Sequence, residues 1–319
     1  MHQRFHILAG PDCNNNCVFC MEDDRADRKH RHALITAERV LQLLKDHVAG
    51  GEVMFTSGEP TLNRNLPTYM RWARQLGYER IGLTTNARRL GYEPYARQLL
   101  EEGLNHIVVS IHGPDARSHD AQTRSPGSFV QTVAGLETLA RLKGEHRFAL
   151  HSSTVVGQRN YRLVPPIYEL LAGVGVDQYV FNVMQPLGRG ALLVGKLVAR
   201  YTEVAAAFGA FVATLGEPRP KLFLVDLPLC TTEALPDEVR GYVEFAYFTE
   251  YEDDGQPRPR ASKVHKEAEN RAKRAECAGC VYDSGCLGVW RTYLEAYGWD
   301  EFVPVRARRA AASRRPRPA

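Results

Sequence analysis

Between residues 5 and 184, short runs of β-branched and aromatic residues alternate with longer stretches whose apolar side chains return every three or four positions. The short runs, at 5–8, 52–56, 80–84, 106–111, 148–155 and 178–183, have the length of buried strands. The periodic stretches, at 36–48, 66–76, 92–102, 128–143 and 161–172, read as helices with one apolar face. Strands separated by helices are joined by right-handed crossovers and lie parallel in one sheet, an α/β architecture. Chemistry in such sheets gathers at the carboxyl ends of the strands, so the segment after each strand is where functional residues are expected. Past residue 190 the alternation stops. A helix is expected over 197–215, a short strand over 221–225, a charged loop and polar helix over 249–276, and an aromatic closing helix from Trp290 to Phe302.

The 319 residues, 44% hydrophobic, suffice for one large α/β domain and a smaller appendage. No apolar run reaches the length of a membrane span and the N-terminus lacks a secretory pattern, so a cytoplasmic protein without membrane attachment is expected. Six arginines, Arg306, Arg308, Arg309, Arg314, Arg315 and Arg317, crowd the last fourteen residues. Against a whole-chain charge of +4 they leave the remainder at about −2. The folded part is therefore not basic, nucleic acid is not the expected partner, and residues 305–319 read as a disordered tail that could touch RNA or an acidic surface.

The seven cysteines fall in tight clusters, which argues for metal chemistry in a reducing compartment rather than a disulfide framework. Three of them form Cys13-Asn14-Asn15-Asn16-Cys17-Val18-Phe19-Cys20, directly after the first strand. Three thiolates at this spacing can hold one corner of a [4Fe–4S] cubane and leave one iron open, whereas a closed zinc site needs four ligands. His6 and His30 flank the loop without zinc-finger spacing.

This pattern, with Phe19 at the aromatic position, resembles the signature of radical S-adenosylmethionine (SAM) enzymes. The resemblance implies a partial (β/α)6 TIM-like barrel over residues 1–190. It also implies a SAM-binding [4Fe–4S] cluster on Cys13, Cys17 and Cys20, and SAM contacts along the strand ends. Ser57-Gly58-Glu59-Pro60 is similar to the family's G-G-E-P segment, with Ser57 replacing Gly. Thr84-Thr85-Asn86 is similar to a T-N-G segment facing the cofactor, with Ala87 replacing Gly. Ser110 matches a serine that contacts SAM. Among His151, Ser152 and Ser153, polar residues in an apolar strand, Ser153 is assigned to the cofactor, and the group lines either the barrel interior or a solvent-facing side. Phe181 to Gly188 resembles the segment against which adenine packs in the molybdenum-cofactor-synthesis branch, which puts Met184 at the nucleoside, although a methionine there also suits ordinary core. His112, His119 and Asp120 could move protons or bind a metal, but a capped, hydrogen-bonded loop is the preferred reading, and no catalytic acid or base is named.

The remaining cysteines, Cys230 and Cys277-x2-Cys280-x5-Cys286, resemble the SPASM and Twitch auxiliary-cluster extensions of that family. The resemblance implies a second [4Fe–4S] cluster in residues 191–304, although four thiolates would satisfy zinc equally well. The implied function is reductive cleavage of SAM to a 5′-deoxyadenosyl radical and hydrogen abstraction from a substrate, with a low-potential donor such as flavodoxin or ferredoxin. The expected outcome is oxidative modification of a peptide, as by a maturase of ribosomally made precursors, or of a small metabolite. A fused leader-recognition domain is not expected ahead of a strand so near Met1, nor is the molybdenum-cofactor cyclase itself, whose double-glycine tail is replaced by Arg-Pro-Ala. A metal-bearing RNA-binding or sensor protein without SAM turnover is the alternative.

Overall fold

The computed structural model describes residues 4–10, 12–21, 36–241, 248–249 and 270–306. Strands β1 (Arg4–Leu8), β2 (Glu52–Thr56), β3 (Arg80–Thr85), β4 (His106–Ser110), β5 (Ala149–Val156), β6 (Gln178–Val183) and β7 (Leu222–Val225) pair in chain order, each parallel to its neighbour. Two-residue strands β8 (Arg240–Gly241) and β9 (Phe248–Thr249) close the ends beside β7 and β1. Among the described residues the two ends are not paired with each other, so the sheet is an open, partial barrel.

Helices α1 (Ala37–His47), α2 (Leu66–Leu76), α3 (Glu93–Glu101), α4 (Ala116–Thr123), α5 (Ser128–Leu142), α6 (Val164–Val174) and α7 (Tyr201–Val212) connect the strands. Their limits follow local chemistry. Thr36 caps α1 by accepting from the Arg39 N–H at 3.2 Å. Pro165 and Pro166 hold the α6 start at Val164 rather than the expected 161, and Gly175 ends that helix at φ +81°. The expected reading missed α4, a polar helix with almost no apolar periodicity; Asp115 caps it through the Ser118 N–H at 2.7 Å.

The alternation runs one unit further than expected. The helix expected over 197–215 is α7, shorter at both ends, and a separate helical turn at Val194–Leu197 precedes it. Phe208 of α7 packs on Phe181 of β6 and Phe211 on Tyr168 of α6, which lays β7 against β6 in the same sheet. The sheet therefore crosses the boundary at 190 expected between core and extension.

Beyond β7, β10 (Arg271–Ala272) and β11 (Val289–Trp290) form an antiparallel pair, followed by α8 (Arg291–Tyr297). The aromatic run does fold back: Tyr293 stacks on Tyr201 at 4.0 Å, and Trp290, Tyr293 and Phe302 are buried. The helix itself ends at Tyr297. Of the charged loop and polar helix expected over 249–276, residues 250–269 lie outside the described residues, as does the tail from 307 onward.

Near the amino ends of β1 to β5, a polar group occupies one face of the sheet. Glu52 accepts from Arg4 Nε at 2.6 Å and lies 3.9 Å from Arg80 and 3.6 Å from His106, whose Nε2 meets His151 Nδ1 at 3.1 Å. Burial alone would raise the Glu52 carboxyl, but His106, Arg4 and Arg80 together hold it down at about 2. His151 thus belongs to this amino-end network, and burial and His106 lower it to about 4. Ser152 points the other way and is buried.

Candidate functional site: the cysteine loop and the strand ends

The loop after β1 crosses the loop after β2 backbone to backbone. A Cβ on Gly10 would lie 2.0 Å from the Ser57 carbonyl oxygen, and one on Gly58 would lie 2.2 Å from that of Gly10, so only glycine fits either place. The Glu59 N–H donates to the Asp12 carbonyl at 2.8 Å and fixes the crossing. Ser57 and Gly58 are consecutive left-handed residues (φ +70° and +48°), and Ala87 after β3 is left-handed too (φ +59°). Both departures from the expected glycines therefore keep glycine's backbone conformation.

Glu59 is 1% exposed, and its carboxylate faces protein. Oε1 accepts from the Thr61 N–H (3.1 Å), the Thr61 hydroxyl (2.6 Å) and the Thr85 hydroxyl (2.6 Å), and Oε2 from the Asn86 N–H (2.7 Å). The side chain thus joins the ends of β2 and β3.

The cysteine loop is held from three sides. Asn86 donates its amide to Asn14 Oδ1 at 2.6 Å. Arg88 donates to the Asn14 carbonyl and to Asn15 Oδ1 (2.8 Å), its Nε anchored on Gln131 at 2.6 Å. The Asn16 and Val18 N–H groups donate to the carbonyls of Thr123 (2.8 Å) and Gln122 (2.9 Å) at the end of α4. Arg189, after β6, directs Nη1 to Asn16 Oδ1 (2.6 Å) and to the Asn16 and Cys17 carbonyls (each 3.0 Å). Neither arginine was expected from the sequence; both sit in post-strand loops, where only the fold shows what they reach.

The three cysteines are partly buried on this loop. Burial pushes the Cys17 thiol up to about 12, with the neighbouring Cys13 and Cys20 adding repulsion. Three crowded sulfurs resist ionisation unless a positively charged centre holds them, which is what an iron–sulfur cluster supplies, so the donor set fits that group.

Phe19 packs edge-on against His112 at 4.6 Å. Ser110 and Ser153 are register partners on one partly exposed face of the sheet, and Ser153 Oγ accepts from Asn182 at 2.8 Å, which adds Asn182 to the expected set. Met184 is 3% exposed, and a Cβ on Gly190 would lie 2.7 Å from its Cε, so its side chain packs as core beside the segment after β6. The His112 group takes the capped form: His112 Nδ1 accepts from the Val155 N–H and His119 Nδ1 from the His112 N–H (each 3.2 Å), and Asp120 caps α5 through the N–H groups of Gly127 and Phe129. Desolvation lowers both histidines, His119 to about 4.

The other four cysteines, spread over 57 positions, line one cleft of about 420 Å³ including its open mouth, together with Tyr282 and Trp299. Burial pushes the Cys230 thiol up to about 12, with Cys286, Cys280 and Cys277 near enough to add repulsion. Cys230 sits just after β7, while β10, β11 and the turns between them carry the rest. Among the described residues no three His, Cys, Asp or Glu side chains close around a single-ion position. No described helix is long and apolar enough to cross a membrane.

Comparison with known proteins gives the same fold. SuiB of Streptococcus suis bound to its precursor peptide SuiA superposes with a TM-score of 0.60 at 14% identity, covering 96% of this chain and 75% of SuiB. Native anSMEcpe with bound AdoMet and Cp18Cys peptide gives 0.60 at 15% identity, covering 94% of this chain and 95% of that one. Among curated proteins, a probable GTP 3′,8-cyclase of Saccharolobus solfataricus is 31% identical over 185 residues, 56% of each chain. The AdoMet-dependent heme synthase of Methanosarcina barkeri is 27% identical over 188 residues, 58% of this chain and 51% of the synthase. The chain spans about half the length of these curated relatives. The description "Radical SAM superfamily" matches residues 7–171, more than half of the sequence from β1 into α6, and by that match the chain belongs to the radical SAM superfamily.

Proposed function

We propose that this protein is a radical SAM enzyme that oxidatively modifies a peptide, with Cys13, Cys17 and Cys20 holding the SAM-binding [4Fe–4S] cluster and Cys230, Cys277, Cys280 and Cys286 a second one. The observation that carries the reading is the position of the three-cysteine loop at the carboxyl end of a parallel sheet, crossed by the Ser57–Gly58 backbone and tied to Asn86. Bound there, the cluster and SAM supply reductive cleavage of the S–C5′ bond and a 5′-deoxyadenosyl radical that takes one substrate hydrogen. The chain positions that chemistry. The backbone of residues 57–59 offers polar groups for the SAM amino acid moiety, and Ser110 and Ser153, steadied by Asn182, present hydroxyls along the inner face. Buried His112 packs against Phe19 on the cysteine loop.

The four thiols of Cys230, Cys277, Cys280 and Cys286 line one cleft, a donor set that a second cluster would use and that zinc would also accept. A cluster held there would accept one electron from the substrate radical, with loss of a proton completing a two-electron oxidation, and a low-potential donor would supply the electron for SAM cleavage. The peptide substrate is supported by the likeness of the whole chain, C-terminal region included, to two peptide-bound enzymes. The curated relatives, a probable GTP 3′,8-cyclase and an AdoMet-dependent heme synthase, match 56% and 58% of this chain; they support a metabolite substrate as the second reading.

The test is iron, sulfide and zinc content of anaerobically reconstituted protein, paramagnetic resonance after reduction, and a SAM cleavage assay. About eight irons, two separable signals with one perturbed by SAM, and 5′-deoxyadenosine are expected. Zinc in place of four irons would remove the auxiliary cluster, and no SAM-responsive signal would remove the enzyme. Turnover of candidate precursor peptides against nucleotide and tetrapyrrole substrates decides between the two readings.

A further inference from the structure

We propose that Arg88 and Arg189 are positioning residues for the SAM-binding cluster, and that the Asn14-Asn15-Asn16 tripeptide between the first two cysteines is their receptor. The inference rests on the reading that this loop carries that cluster. Each asparagine side chain accepts one hydrogen bond from a different donor: Asn14 from Asn86, Asn15 from Arg88 and Asn16 from Arg189. The same guanidiniums also take the Asn14, Asn16 and Cys17 carbonyls, so the backbone between Cys13 and Cys17 is fixed at its oxygens from the post-β3 and post-β6 loops at once.

Two consequences follow for the cysteines. The loop is shaped for a cluster before one is bound, which lowers the ordering cost of assembly. Two permanently charged groups also lie at the loop's edge, and positive charge beside a cluster favours its reduced, more negative state. The two clamps differ in geometry. All three Arg189 contacts come from one nitrogen, a task that an ammonium with three donors can partly reproduce. Arg88 divides its contacts between Nη1, on the loop, and Nε, on Gln131, and lysine has no such fork.

The experiment compares wild type with Arg189→Met, Arg189→Lys, Arg88→Met, Arg88→Lys and the milder Asn15→Ala and Asn16→Ala. Iron release to a chelator, the reduction midpoint of the SAM-responsive signal and thermal midpoints are read on each, with the C-terminal signal as internal reference. Both Met variants are expected to lose iron from the N-terminal site about tenfold faster, the equivalent of one charge-assisted hydrogen bond, and to shift its midpoint to lower potential. Asn15→Ala and Asn16→Ala, which keep the charges, are expected to speed iron loss with a smaller shift in midpoint. Arg189→Lys recovers much of the wild-type behaviour and Arg88→Lys does not. Unchanged iron release and midpoint in the Met variants overturns the proposal. Should a Met variant fail to fold, unchanged iron release in both Asn variants does the same. Absence of a SAM-responsive cluster in wild type removes the functional reading itself, a separate result.

Discussion

The Glu59 carboxylate accepts the backbone N–H of Asn86 at 2.7 Å across 27 positions of sequence, and so binds the loop after β2 to the end of β3. Three further donors converge on its other oxygen. In Glu59→Gln the amide must turn its own N–H groups toward a donor, a loss of about 1–3 kcal/mol for a buried group left without a partner. Chemical denaturation should show that loss, and SAM affinity should fall with it because the same backbone crosses the cysteine loop. An unchanged denaturation midpoint would show that the clamp carries no weight.

Gly135 lies inside α5, where alanine would ordinarily stabilise by up to about 1 kcal/mol. Here its Cβ would stand 2.2 Å from the Ala87 carbonyl oxygen, so Gly135→Ala is expected to lower the melting temperature clearly. Ser57→Gly should do the reverse and raise it slightly, since φ +70° costs serine about 1–2 kcal/mol that glycine avoids, partly offset by glycine's looser unfolded chain.

Glu52 gives a pH signature. Its folded pKa of about 2 lies below the unfolded value, so its contribution is present above about pH 4.5 and is lost as pH falls toward 2. Glu52→Gln should therefore cost about 2–4 kcal/mol at pH 7, and the difference from wild type should shrink between pH 4.5 and 2.5. Parallel urea titrations of both proteins measure it; a difference that does not narrow in acid would exclude the carboxylate as its source.

Replacing Cys277 and Cys280 with Ala should halve the iron content and leave SAM cleavage intact while abolishing the oxidised product. Retention of full product formation would detach the C-terminal site from the chemistry.

Much of this was legible in the chain itself. Hydrophobic period gave the seven main strands to within a residue or so, because a buried strand must be apolar whatever surrounds it, and spacing marked the cysteine clusters at 13–20 and 277–286 because residues on one loop are neighbours by sequence alone. The rest depends on meetings between distant segments. That β7 joins the main sheet beside β6, that Met184 is buried, that Glu59 faces protein and that Arg88 and Arg189 reach the asparagines all follow from which strand end lies beside which. A side chain's partner across 70 or 170 positions leaves no periodicity in sequence, and only the folded sheet, by bringing the post-strand loops to one rim, decides it.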